Sequence, residues 1–203
     1  MSVPLPAARF SRADYFEWEA LQVDKNEYLA GEVFAMVGAR QAHVLVAGAL
    51  FARFREHLRG TRCRAYGADM KLEVVAADAV FYPDVMVSCD EADRQRDLAL
   101  QAPKLIVEVL SDSTAAYDRG AKFAAYRKLD SLHEYLLVDI DARRLELFRR
   151  EPVGWVLHEP AGANNPVGAD ATGAPAEPAT VVLHLASIGL DLTGADAFGD
   201  LQE

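Results

Sequence analysis

Lys104-Leu-Ile-Val-Glu-Val-Leu110 is an apolar run with one charge inside it. Such a run reads as a β-strand covered on both faces. Ser111-Asp-Ser-Thr114 follows at once with helix-capping chemistry, and residues 115–129 are helical by composition. Residues 134–139, Glu-Tyr-Leu-Leu-Val-Asp, return as a second strand. On either side, the pattern alternates in the same way. Ser11 caps a helix expected over residues 12–21, and residues 27–37 read as two short strands turning at Ala30-Gly31. Apolar residues at Val44, Ala47, Leu50, Phe51, Phe54 and Leu58 predict a helix over 41–57, closed by Gly60. Extended runs are expected at 63–66, 70–75 and 80–88, and again at 143–149 and 155–158. The charged stretch 90–97 reads as a solvated loop or helical turn. This order describes an α/β fold, a mixed sheet with helices packed on it.

The remainder divides differently. Residues 1–159 form the expected main domain. Residues 160–179, rich in Ala, Gly, Pro and Asn, read as a mobile loop, and 180–203 as an acidic segment with one strand near 181–185 and a fraying end at 194–203. The 203-residue chain has a formal charge of −10, with all 21 Lys and Arg inside residues 1–150. Residues 151–203 carry 8 acidic residues and no Lys or Arg. The expectation is that this −8 segment discourages loose adhesion to DNA, so that cutting after Pro160 strengthens DNA binding at low salt unless residues 181–185 are an integral strand of the fold.

Several chemistries are absent from the sequence: Walker A, GxGxxG, GxSxG and HExxH do not occur. Cys63 and Cys89 have no CxxC context and read as small buried hydrophobes in a reducing compartment. The N-terminus lacks a signal-peptide pattern and no apolar stretch approaches the ~20 residues of a membrane span, so a cytoplasmic protein without membrane contact is expected.

Two acids interrupt apolar strands: Asp84, between Phe81-Tyr-Pro83 and Val85-Met-Val87, and Glu108, between Leu105-Ile-Val107 and Val109-Leu110. A buried carboxylate must be paired, protonated or metal-bound, because an isolated buried charge costs several kcal/mol. One such acid is ordinarily an ion-pair partner at a strand end. Two at the ends of adjacent runs point to an oxygen-rich pocket suited to Mg²⁺ or Mn²⁺.

Pro83-Asp84, followed after a variable spacer by Glu108, resembles the PD-(D/E)xK nuclease pattern. The ordered set Gly31-Glu32-Val-Phe-Ala-Met36, Ala42-His43, Tyr82-Pro-Asp-Val85, residues 105–114, Tyr117-Asp-Arg-Gly120, Lys122, Tyr126 and Glu134–Asp139 resembles the Uma2 family of restriction-endonuclease-like proteins. The resemblance implies a restriction-endonuclease-like fold with a mixed central β-sheet flanked by α-helices. It also implies a homodimer, a Mg²⁺ or Mn²⁺ site at Asp84 and Glu108, and DNA as partner. Glu32 corresponds to the acid supplied by the N-terminal element. Leu110 stands where the strict pattern has lysine, and the resemblance moves that role to Lys122 on the following helix. Its alanine variant is then expected to lose cleavage with little loss of stability. The corresponding function is metal-dependent hydrolysis of DNA phosphodiesters. The alternatives are a non-catalytic module of nuclease fold and a phosphoesterase for a small nucleotide.

Three further residues or groups have both a functional and an ordinary structural reading. His43 borders the pocket or is a core-edge histidine with a backbone partner, the latter favoured. Tyr117 and Asp118 brace Lys122, or Asp118 pairs with it in solvent. Arg53, Arg55, Arg59, Arg62 and Arg64 form a phosphate-binding stripe or a solvated helix face.

Overall fold

The computed structural model describes residues 10–36, 38–112, 114–160 and 182–201. Helix α1 (Arg12–Glu19) opens with the capping box Ser11–Asp14. Strands β1 (Asn26–Leu29) and β2 (Glu32–Ala35) form a hairpin. Its two-residue turn, Ala30-Gly31, has positive φ at both positions (51° and 98°), the geometry that matches the twist of paired strands. The long helix α2 (Gln41–His57) follows, then β3 (Arg64–Gly67), β4 (Lys71–Val74), β5 (Ala79–Phe81), β6 (Val85–Ser88), β7 (Ala99–Leu100) and β8 (Pro103–Leu110). The charged stretch contains a single 3₁₀ turn at Asp93–Gln95.

After β8 the chain enters one helical segment in three parts: α3 (Ala115–Tyr117), a π-helical turn at Asp118–Lys122, and α4 (Phe123–Tyr126). It returns as β9 (Glu134–Asp139), parallel to β8, and continues through β10 (Arg144–Glu151) and β11 (Gly154–His158). The six-stranded sheet has the order β11-β10-β9-β8-β6-β3, with the β8/β9 pair parallel and the rest antiparallel. A five-stranded sheet runs β2-β1-β5-β4-β7. This is the expected α/β architecture: mixed sheets flanked by helices.

The period of two along β8 separates two cores. Leu105, Val107 and Val109 face α2, with Val46, Leu50 and Phe54. Ile106 and Leu110 face the opposite way, toward Phe123, Tyr126 and the five-stranded sheet's Leu72 and Phe81. Glu108 belongs by parity to this second face.

The extended run expected over 80–88 is two strands. It breaks at Tyr82-Pro83-Asp84, and β5 and β6 enter different sheets. Pro83 has no N–H for a ladder, and the Tyr82 N–H donates to Glu27 Oε1 at 3.0 Å instead. Asp84 therefore sits where one sheet hands the chain to the other.

Two expectations are corrected at the C-terminus and the cysteines. Residues 194–201 do not fray. Strands β12 (Val182–Leu185) and β13 (Leu190–Thr193) form a hairpin, and α5 (Gly194–Phe198) follows with its own capping box from Thr193 and Asp196. Leu183, Leu185, Leu190, Leu192, Ala197 and Phe198 join the core under α2, because their alternation with polar residues gives the segment an apolar face to bury. The loop expected over 160–179 lies, from residue 161 onward, outside the described residues.

Cys63 and Cys89 are joined in a disulfide with Cα atoms 4.0 Å apart. They flank the Arg64↔Ser88 register pair of β3 and β6, so antiparallel pairing sets them opposite each other across 26 residues of sequence. Cysteine usage thus gives no argument for a reducing compartment. A bond closing a loop of this size constrains the unfolded chain by about 3 to 4 kcal/mol. Reduction with dithiothreitol is expected to lower the melting temperature by several degrees, and thiol titration of the native protein to find no free thiol. Two titratable thiols in the unreduced native protein would contradict the pairing. Among the described residues no helix is long and apolar enough to cross a membrane.

Candidate active site

Antiparallel pairing sets Val85 opposite Val107. One step further along the same register, Asp84 faces Glu108. Both carboxylates line a cavity of about 970 Å³ that also includes Glu27, His43, Asp118 and Lys122. Like charges opposite each other repel, and the surrounding groups answer that repulsion one by one.

Asp84 is held on both oxygens. The Val109 N–H donates to Oδ2 at 2.7 Å, and His43 Nε2 lies 2.9 Å from Oδ1. The hydrogen bond with Asp84 raises the pKa of His43, against the opposing effect of burial. His43 is thus tied to a carboxylate rather than to a backbone group, and the core-edge reading is corrected. Helix α2 supplies it from its first turn, on the face whose apolar residues seat the helix on the sheet.

Glu108 is fully enclosed. Tyr126 Oη donates to its Oε1 at 2.7 Å, and Lys122 Nζ approaches the same oxygen at 3.2 Å. Burial pushes the Glu108 pKa well up, and the charges of Asp118, Asp84 and Glu27 push it further; Lys122 pulls the other way.

Lys122 is 6% exposed. Its ammonium lies 3.0 Å from Glu27 Oε1, 3.2 Å from Glu108 Oε1 and 3.6 Å from Asp118 Oδ1. Burial opposes its charge, but Glu108, Glu27 and Asp118 together outweigh burial and raise its pKa. The Asp118–Lys122 pair is therefore a buried contact within a four-member cluster. The π-turn that carries it turns both side chains inward; such turns are rare and concentrate at functional sites. Burial raises the Asp118 pKa too, with Lys122 opposing. Tyr117 Oη is buried in this cluster with no hydrogen-bond partner among the described residues. Burial, then the charge of Glu27, lifts its pKa to about 12.

Glu32 does not reach the cavity. It is exposed on β2, paired with Leu29 at the turn end of the hairpin, and is not among the lining residues. The acid that this hairpin contributes is Glu27, on β1. Glu27 and Glu32 share a face of the hairpin, but Glu27 lies two residues deeper, roughly 7 Å along the strand. Opposite Glu27 stands Phe34, which lines the cavity. The available signal was an acid inside a strand next to Tyr28 and Leu29, the same anomaly that singled out Asp84 and Glu108.

A divalent ion fits the donor chemistry. Asp84, just before β6, and Glu108, on β8, offer hard carboxylate oxygens, and Mg²⁺ characteristically takes one or two carboxylates and keeps several waters. Among the described residues no group of three or more His, Cys, Asp or Glu is gathered to hold a metal ion.

The mixed-sheet fold has a counterpart among solved structures. The structure described as a "putative nuclease belonging to DUF820" from Anabaena variabilis superposes with a TM-score of 0.69 over 92% of this chain and 96% of that chain, at 16% identity. The family model described as "Uma2: Putative restriction endonuclease" matches residues 12–175, and the chain belongs to that family. Two proteins of Synechocystis sp. are similar in sequence. "Uncharacterized protein slr1290" is 37% identical over 157 residues, 77% of this chain and 82% of that protein. "Uncharacterized protein sll1609" is 33% identical over 157 residues, 75% of this chain and 88% of that protein.

Proposed function

We propose that this protein is an endonuclease that hydrolyses DNA phosphodiester bonds with the help of Mg²⁺ or Mn²⁺. The observation that supports the reading most is the position of Lys122 Nζ, 3.2 Å from Glu108. In the strict nuclease pattern a lysine two residues after the strand acid stands there; Leu110 occupies that position here and points into the core. The crossover helix supplies Lys122 instead, fourteen residues after Glu108.

In this reading Asp84 and Glu108 hold the divalent cation, which supplies Lewis acidity toward a phosphodiester oxygen. The Val109 N–H and Tyr126 hydroxyl fix the two carboxylates before substrate arrives, so little reorganisation is needed at the moment of reaction. Lys122 presents a permanent positive charge to the negative charge that grows on the scissile phosphate. Glu27 and Asp118 keep that ammonium protonated and in place. His43 orients Asp84 and is the titratable group positioned to exchange a proton at the cavity wall.

Supercoiled plasmid incubated with Mg²⁺ or Mn²⁺ should be nicked or linearised, and EDTA should prevent it. Asp84→Asn and Glu108→Gln should each lower the rate by at least roughly a hundredfold, the several kcal/mol that metal-assisted charge stabilisation supplies. The same cations should raise the wild-type melting temperature by binding only the folded state, and should fail to do so in Asp84→Asn. Absence of both cleavage and thermal shift with either cation would refute the reading.

A further inference from the structure

Phe51 lines a second cavity as well as the first. This smaller space, about 360 Å³, is formed by Phe51, Arg55, Arg64, Ala65, Tyr66 and Arg94. Strand β3 leads from one to the other: Arg64, Ala65 and Tyr66 border the small cavity, and Gly67 and Ala68 border the large one. At about 3.3 Å per residue, Arg64 and Ala68 are roughly 13 Å apart along the chain. Among the described residues, strand β3 is also the edge of its sheet, with no strand paired outside it.

The three arginines arrive from three separate elements: α2, β3 and the 3₁₀ turn at Asp93–Gln95. Arg53, a member of the same sequence stripe, is neutralised by Asp196 at 3.2 Å, and Arg96 by Asp93 at 3.4 Å. Arg55, Arg64 and Arg94 have no ion-pair partner among the described residues. Arg64 Nη1 donates to the carbonyls of Thr61 and Cys63, both at 2.9 Å, which anchors the guanidinium at the rim. The Arg55 guanidinium lies over the Phe51 ring, 5.6 Å from its centroid. The nearby acid, Asp93, is buried and already accepts from Ser88 Oγ and from the Gln101 and Ala102 N–H groups. Burial raises the Tyr66 pKa and Asp93 adds to it, while the charges of Arg64 and Arg94, which line the same cavity, lower it.

Three gathered cations without counter-charges repel one another, in a chain whose formal charge is −10. An anion between them turns that repulsion into attraction, and guanidinium is suited to the oxygens of a phosphate. We propose that this pocket is a phosphate subsite that holds the backbone of one nucleic-acid strand where it leaves the cavity of Glu108 and Lys122. The proposal rests on the nuclease reading and locates the substrate's path along β3, away from the reacting centre.

The test is the binding of a fluorescein-labelled DNA duplex, followed by anisotropy in EDTA over a range of salt concentrations. The proteins compared are the wild type and the Arg64→Ala/Arg94→Ala double variant. The variant should bind roughly tenfold or more weakly at low salt, and the slope of log K against log salt should become shallower by about 2, one unit per lost phosphate contact. Its melting temperature should match the wild type, since both side chains are exposed. Unchanged affinity and slope, with wild-type DNA cleavage in Mg²⁺ intact, would overturn the subsite and leave the nuclease reading standing. Weakened binding by the variant supports the subsite even if neither protein cleaves. A wild type that neither binds nor cleaves DNA removes both.

Discussion

Lys122→Ala should lower the stability of the folded chain by about 3 to 5 kcal/mol, the cost of breaking a buried charge cluster by deleting one partner. The sequence predicts an active-site lysine whose removal barely disturbs the fold; its enclosure, at 6% exposure, argues for a larger stability cost. The ammonium sits within 3.6 Å of Glu27, Glu108 and Asp118. Without it three carboxylates share a nearly dry space, and at least one must take up a proton. Urea denaturation of Lys122→Met and of Lys122→Met/Glu108→Gln separates charge from packing. Neutralising Glu108 should recover part of the loss, giving a coupling of roughly 0.5–3 kcal/mol, as for contacting residues in one network. Near-wild-type stability of Lys122→Ala would show that the ammonium is solvated and the cluster wrongly placed. Because removing Lys122 disturbs this buried cluster, the activity comparison belongs to Asp84→Asn, whose carboxylate lines the cavity wall and is partly exposed.

Ending the chain at residue 181 should prevent folding altogether. Leu183, Leu185, Leu190, Leu192 and Phe198 are buried in the core beneath α2. At about 1.5–3 kcal/mol each, their contribution is of the same order as the whole stability of a typical domain, roughly 5–15 kcal/mol. Polar ties would be cut as well: Glu134 accepts from the Ala186 and Ser187 N–H groups at 3.0 and 2.8 Å, and Arg149 Nη2 donates to the His184 carbonyl at 2.6 Å. His57 Nε2 lies 2.9 Å from the Ile188 carbonyl oxygen, joining the end of α2 to the hairpin. Circular dichroism and a cooperative melting transition would check this. A truncated protein with a native-like melt would restore the picture of a detachable acidic segment.

Legibility along the chain followed the range of the interactions involved. The helix at Gln41–His57 and the strand at Pro103–Leu110 were visible because hydrophobic periodicity is a local signal. The break at Tyr82-Pro83-Asp84 was concealed because both halves have the same strand composition, and only the sheet assignment separates them. Asp84 and Glu108 stood out for the same local reason: a charge inside an apolar run is anomalous whatever its partner. Glu27 carried the same signal and was passed over in favour of Glu32. The choice between two acids on one face of a hairpin depends on which end of it meets the helix.

The amino-acid order by itself determined the α/β class, the strand–helix–strand unit around Glu108 and the two strand acids, since burial periodicity and the cost of an unpaired charge act within a few residues. Tertiary structure alone settled the rest. It chose Glu27 over Glu32, gave His43 a carboxylate partner, joined Cys63 to Cys89 and closed three acids around Lys122. It also drew Arg55, Arg64 and Arg94 into one pocket while assigning Arg53 to Asp196. Each of these contacts spans the sequence or depends on which face of an element meets its neighbour. Hydrogen bonds and ion pairs form only within about 3–4 Å, so they are specified after packing has brought the elements together, by positions that carry no mark in the chain.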